Sequence, residues 1–333
     1  MKSYLWQMGV AVGLLLALKS SALESDVVTF YGRAYFGDPI GRLSDTEMQA
    51  FERGATLFAK SWSSRPGAEK NANSCVSCHS VPVPGGSGMS DTALVATKVV
   101  AGRSLVFYKA DPTVAPGNEN RRTPPLFGLG LLENADALMR EDGSRVNFFG
   151  ALAEHQSISG AIEHAIEVEL GLTTVSTCRR RVAPRNTECT PDVSTQDLSD
   201  LVQYVRFLAA PPRLYIDARV EKMGRESFER MGCAACHTPT FSTIKSKSTS
   251  LRAATLAGYT DFQVHDVGGA YKVRTTALWG LNSYGPPYWH DGSAQSIDEA
   301  IRLHSGQATA ARSGYEKLSE DERDVLLKFL KGL

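Results

Sequence analysis

Apolar residues recur at helical spacing through most of the chain, and capping residues mark where several of these runs begin. Ser44-Asp-Thr-Glu47 opens one predicted helix, and Ser194 to Leu208 reads as another that stops before Pro211-Pro212. Asp217 to Met231 forms a third, and Ser319-Glu-Asp-Glu322 has capping-box spacing ahead of a striped C-terminal helix. No long segment alternates apolar and polar residues at the two-residue period of a strand. The pattern predicts a mainly α fold with long loops, and Pro211-Pro212 is the natural junction between two parts.

The pattern also repeats. Arg122-Thr-Pro-Pro-Leu-Phe-Gly-Leu-Gly130 lines up with Arg274-Thr-Thr-Ala-Leu-Trp-Gly-Leu-Asn282. Further on, Gln156-Ser-Ile-Ser-Gly-Ala-Ile-Glu-His-Ala165 lines up with Gln295-Ser-Ile-Asp-Glu-Ala-Ile-Arg-Leu-His304. Their shared order predicts two cytochrome c-like helical domains related by internal duplication, residues 23–210 and 211–333. Residues 1–22 read as a signal peptide: Lys2, an apolar stretch from Met8 to Leu18, and Ser20-Ser21-Ala22 suited to cleavage. An uncleaved N-terminal anchor is the alternative. No later apolar run reaches the ~20 residues of a membrane span, so no stable span is expected in the mature form.

Composition adds little. Apolar residues make up 42% and charged residues 22%, with 36 basic against 36 acidic residues. This balance gives no sign of disorder or of nucleic-acid binding.

The cysteines change the picture. Cys75-Val-Ser-Cys78-His79 and Cys233-Ala-Ala-Cys236-His237 each have the spacing that attaches a c-type haem, the two thiols adding to the porphyrin vinyls and the histidine ligating iron. Two covalently bound haem c groups follow; paired zinc half-sites and disulfide hairpins are the rival readings. Cys178 and Cys189 remain, and in the oxidising periplasm, where an exported chain is expected, a disulfide between them is the simplest reading. The repeat separates the haems. His304 is placed to be the sixth ligand of the iron on His237, whereas Ala165 holds the matching place in the first half and cannot ligate. Glu169 lies one turn beyond on the same helical face, so it is a candidate for moving protons at an open first iron, with a plain surface role as the alternative. Glu167 faces elsewhere. Met139 is a loop methionine that would close the first iron if it ligated. Met89, His155 and His164 read as uninvolved or surface residues. Arg122 and Arg274 suit propionates, and His290 and His265 are pocket candidates whose simpler role is a structural hydrogen bond. Trp279 and Trp289 either pack or carry electrons.

At these residues the chain resembles the di-haem oxidoreductase family often labelled "thiol oxidoreductase". That family is related to the bacterial di-haem cytochrome c peroxidases and to the enzyme that matures the tryptophan tryptophylquinone of methylamine dehydrogenase. The likeness runs through Tyr259 to Gly268, Arg274 to Gly280, His290-Asp-Gly to His304, Glu169 to Thr173, and Cys178 with Cys189. In the peroxidase relatives the second-half distal ligand lies fourteen positions after the His of His-Asp-Gly, which here is again His304. Those relatives use Met or Tyr there, and two imidazoles lower the potential. The tryptophan that they carry before the repeat helix is replaced by Phe148-Phe149-Gly-Ala-Leu. The resemblance implies a peroxidase-like enzyme: peroxide or dioxygen at the first haem, electrons through the second, and a small redox protein as partner. Some relatives hold a calcium ion between the domains, which leaves calcium an open expectation. A di-haem electron carrier without substrate chemistry, and an oxygenase or protein-modifying enzyme, are the alternatives.

Overall fold

The computed structural model describes residues 35–63, 70–88, 94–100, 104–109, 120–150, 152–182, 189–244, 248, 251, 254–269 and 272–333. Residues 1–22, expected to be a signal peptide, and Met89 lie outside them. In chain order the helices are α1 (Asp45–Ala59), α2 (Leu129–Glu133), α3 (Ile158–Val168), α4 (Val175–Val182), α5 (Thr195–Phe207), α6 (Ala218–Arg230), α7 (Leu281–Tyr284), α8 (Ile297–Leu303), α9 (Thr309–Glu316) and α10 (Glu320–Gly332). The fold is helix-dominated, with small sheets.

The largest sheet is a departure from the strandless reading. Strands β1 (Leu94–Val100), β2 (Ser104–Lys109) and β3 (Asn120–Arg122) pair antiparallel in the order β2-β1-β3, with Thr97 opposite Phe107 and Leu94 opposite Arg122. These segments are rich in β-branched and aromatic residues but lack strict alternation, so their propensity was visible and their period was not. Two further ribbons are short: β4 (Phe241–Ser242) with β5 (Thr255–Leu256), and β6 (Val264–His265) with β7 (Val273–Arg274).

Helix starts follow the caps. Ser44 and Ser319 both form capping boxes, with Glu47 and Glu322 reaching back to the cap backbone. Ser157 accepts from the Gly160 amide and Ser296 from the Glu299 amide, with nearly the same backbone angles (φ −148°, ψ 157° and φ −143°, ψ 162°).

Matching pieces recur at the level of packing. In each half the helix preceding the Cys-x-x-Cys-His turn crosses a later helix at a glycine: α1 on α5 at Gly54, α6 on α10 at Gly224. A Cβ at Gly54 would overlap the Asp200 carbonyl and Tyr204; one at Gly224 would overlap Phe329. One turn on, Phe58 packs on Tyr204 with ring centres 5.0 Å apart, and Phe228 packs on Phe329 at 5.9 Å. Arg53 clamps the first crossing with a two-pronged ion pair to buried Asp200, at 2.8 and 3.0 Å. We expect Gly54→Ala to destabilise the protein by about 1–3 kcal/mol, because the added methyl meets backbone rather than a flexible side chain. Gly41→Ala, where nothing lies within 4 Å, should stay within about 0.5 kcal/mol. Urea melts of the two variants compare them, and equal losses would sink the close-crossing account.

Loops repeat as well. Gly128 and Gly280 start α2 and α7 in the left-handed region, at φ 74° and 70°. Ser87 donates to the Thr123 carbonyl at 2.7 Å, and Thr260 donates to the Thr275 carbonyl at 2.8 Å. The bridge Phe149–His155 matches the bridge Tyr288–Ala294, with positive φ at Gly150 (91°) and Ala153 (57°) against Trp289 (67°) and Gly292 (76°). The larger buried cluster gathers Phe58, Phe127, Phe148, Ile158 and Phe207 together with Phe241, Phe262 and Trp279 from beyond Pro211-Pro212. The smaller one, around Phe228, Tyr315, Leu326 and Phe329, draws wholly on the later part.

Candidate haem sites

The first Cys-x-x-Cys-His forms a tight helical turn over Cys75–Ser77, and the His79 amide donates to the Cys75 carbonyl at 3.0 Å. His79 is placed by its ring. Its Nδ1 lies 3.1 Å from the Gly86 carbonyl, an acceptor, so Nδ1 carries the proton and Nε2 keeps its lone pair for a metal. Burial pushes its pKa down to about 4, so the ring is neutral at pH 7. Burial pushes the Cys75 and Cys78 thiols up to about 12 and 11; both are unpaired with other cysteines.

These three residues open onto a cavity of about 240 Å³. Its walls include Phe58, Leu126, Leu129 and one face of α3: Ile158, Ala161, Ile162, Ala165 and Ile166. Their spacing is that of a single apolar helical stripe. Ala165 therefore stands in the cavity wall. Glu169, the cap residue that ends α3, lines the cavity too. Its carboxylate accepts from the Asn71 side-chain amide, and its carbonyl accepts from the Asn71 and Ala72 amides at 2.8 and 3.2 Å. Glu169 is thus tied to the segment that leads into Cys75, and its charge helps raise the Cys78 thiol. Glu167 points away and pairs with Arg180 at 3.1 Å.

Two histidines are corrected. His155 and His164, read from sequence as exposed and surface residues, are half-buried in the same cavity wall with ring centres 4.9 Å apart. The ~100° offset of His164 from Ala165 did not remove it, because the cavity is wide enough to meet both positions on α3. Burial lowers the His155 pKa against the opposing pull of Glu154. Met139 is not among the cavity residues; its backbone bridges to Arg145 instead.

The second motif repeats the geometry over Cys233–Ala235. The His237 amide donates to Cys233 at 2.9 Å, its Nδ1 lies 3.1 Å from the Tyr259 carbonyl, and burial pushes its pKa down to about 4. His304, which caps α8, points Nδ1 at the Ala300 carbonyl at 2.9 Å, which leaves the Nε2 lone pair available to a metal. Its pKa is lowered by burial. The Trp289 ring stands edge-on to it at 4.6 Å. His290 Nε2 is directed to the Gly268 carbonyl at 3.3 Å, the structural hydrogen bond expected of it. His265 Nε2 pairs with Asp261 at 2.7 Å. Among the described residues, the only group of three metal-type side chains is Cys236, Asp261 and His265.

The residues fit haem at both places: free thiols beside a neutral, oriented imidazole, and at the first an apolar cavity. Buried Nε of Arg122 has no hydrogen-bond partner, a donor awaiting an acceptor. Elsewhere, Cys178 on α4 is joined to Cys189 across a Cα–Cα distance of 5.8 Å.

A family model described as "Di-haem oxidoreductase, putative peroxidase" matches residues 151–333, more than half of the chain. The chain belongs to this di-haem oxidoreductase family. Two haem motifs are what such a family requires, and the matched residues take in α3, the second motif and His304. No curated protein matches the di-haem chain. Among solved structures it is similar to hydrazine synthase from Kuenenia stuttgartiensis, determined under 20 bar of xenon. The identity is 16%, the match covers 100% of this chain and 99% of that one, and the TM-score of 0.48 assigns nothing further. Among the described residues, no helix is long and apolar enough to cross a membrane.

Proposed function

We propose that the protein is a periplasmic di-haem c-type oxidoreductase of the peroxidase kind. In this reading two cytochrome c-like domains, residues 23–210 and 211–333, arose by duplication, and residues 1–22 are removed on export. The recurring turns, glycine crossings and Ser caps described above support the duplication. Haem on His79 would supply an iron that binds and activates peroxide, with electrons relayed through a second haem on His237 and His304.

The observation that carries this division is the pair of matched positions at the ends of α3 and α8. Ala165 lies in the cavity wall of the first site and offers no ligand, while His304 presents Nε2 at the second. Ile158, Ile162 and Ile166 give the first site an apolar wall, and low polarity there strengthens any charge interaction beside it. The Glu169 carboxylate, oriented by Asn71, holds and returns a proton there. His155 and His164 add two imidazoles within the same wall. Leu303, beside His304, and Val264, beside His265, are exposed apolar side chains suited to contact with a small electron-donor protein.

Low-temperature EPR tests the reading. One high-spin or ligand-exchangeable iron and one six-coordinate low-spin iron are expected; two low-spin irons at both oxidation levels would make the protein an electron carrier. Glu169→Gln should keep both haems and lower peroxide turnover by about 10²–10⁴. A variant with unchanged turnover removes Glu169 from the chemistry.

A further inference from the structure

The repeat gives each half one arginine, Arg122 before Gly128 and Arg274 before Gly280. On that order alone each would serve its own haem. Instead both arginines line the first cavity, and Arg274 crosses from the later half to do so. Arg274 stands on β7, is only 9% exposed, and donates from Nε to the Gly150 carbonyl of the other half at 2.8 Å. Its guanidinium lies 4.7 Å from the Phe148 ring centre, and it lines the cavity that holds His79, Cys75 and Cys78. Arg122 lines the same cavity from its own half and also touches the later one. Its amide donates to the His290 carbonyl at 2.9 Å, its Nη2 to Gly285 at 3.4 Å, and its guanidinium lies 6.0 Å from the Tyr288 ring.

Charge decides what Arg274 is placed to do. Burial pulls its pKa down to about 10, so it stays protonated at neutral pH. Among the described residues it forms no ion pair. Glu154, the acidic group whose charge acts on it, accepts from the Leu152 amide at 3.0 Å rather than from Arg274. One carbonyl, the Phe148 ring and the charge of Glu154 compensate the desolvation of this buried cation only in part, and a carboxylate entering the cavity would complete it. A planar guanidinium is suited to receive that carboxylate with two parallel bonds.

We propose that Arg274 is a positioning residue for the first haem, holding one of its propionates from the opposite half of the molecule. The proposal rests on the assignment of that haem to Cys75, Cys78 and His79. The cavity then closes only when both halves contribute, and the first iron's potential depends on a residue of the second.

The test uses the full holoprotein as Arg274→Leu and Arg274→Lys, with redox titrations in which the two haems are read separately by spin state. Loss of the cation should shift the first haem's equilibrium towards the ferric form by about tenfold, about 59 mV for a one-electron couple. The second haem should stay within about twofold, and Arg274→Lys should recover most of the shift. A shift confined to the second haem, or to neither with both attached, overturns the proposal. Wild-type protein lacking haem at Cys75 and Cys78 would instead overturn the assignment beneath it. Should Arg274→Leu fail to fold, a crystal structure of the wild-type holoprotein decides. The guanidinium should lie within hydrogen-bond distance of a propionate of the haem on His79; a place against the other haem or in solvent refutes it.

Discussion

The double substitution Cys75→Ser, Cys78→Ser should halve the covalently bound haem, from two groups per chain to one, and reduce peroxide turnover to the background of the assay. The serines are near-isosteric and keep the turn over Cys75–Ser77, in which the amides of residues 78 and 79 both donate to the carbonyl of residue 75. What is lost is the pair of bonds to the cofactor. His79 remains, neutral and with Nε2 presented, so weak non-covalent haem binding is the residual expectation. The cavity lined by Phe58, Leu126 and the Ile face of α3 would then lack its filling, and a group that binds only the folded state no longer stabilises it. The melting temperature should therefore fall as well. Haem per chain, measured after denaturation as the pyridine complex, gives the count. Two covalent haems in the variant, or zinc in the wild type in place of haem, would end this reading.

His304→Ala should convert the second iron from low-spin to high-spin while leaving the first unaltered. His304 is held by its own helix end: Nδ1 is committed to the Ala300 carbonyl, and Trp289 packs against the ring. The two other histidines of this region are committed elsewhere. His290 is directed at the Gly268 carbonyl, and His265 at Asp261. The variant should therefore gain an exogenous-ligand site, bind cyanide or imidazole at both irons, and show a raised potential at the second, since one strong imidazole donor is gone. His290→Ala should leave both spin states as they were. EPR of the two variants side by side is the measurement; low-spin signal persisting in His304→Ala would assign the sixth ligand elsewhere.

The features legible in the sequence were those that local chemistry dictates. Ser44 and Ser319 announced their capping boxes, Cys178 and Cys189 their pairing, and the motif cysteines their turns. The order of the repeat gave the matched helices α3 and α8, and with them the contrast between Ala165 and His304. What escaped was set by tertiary structure. The pairing of β1 with β2 depends on strand contacts that no two-residue period marked. His155 and His164 meet only because His155 returns alongside α3 through the bridge to Phe149. The crossing of Arg274 was invisible for a deeper reason, since an alignment of halves compares positions along the chain and not across the interface. One signal was overlooked: Gly54-x-x-x-Phe58 and Gly224-x-x-x-Phe228 precede the two haem motifs, and their matching spacing marks both helix crossings.

The loop of Trp289 carries a consequence for the second site. Its counterpart in the first half is Gly150, for which the left-handed region is free of cost; a bulky side chain at φ 67° stores about 1–2 kcal/mol. That energy is offset only while the indole stays lodged against His304 and His290. Each loop thus holds one non-glycine residue in the left-handed region, Ala153 in the first half and Trp289 in the second, and only the bulkier one leans on the proposed ligand His304.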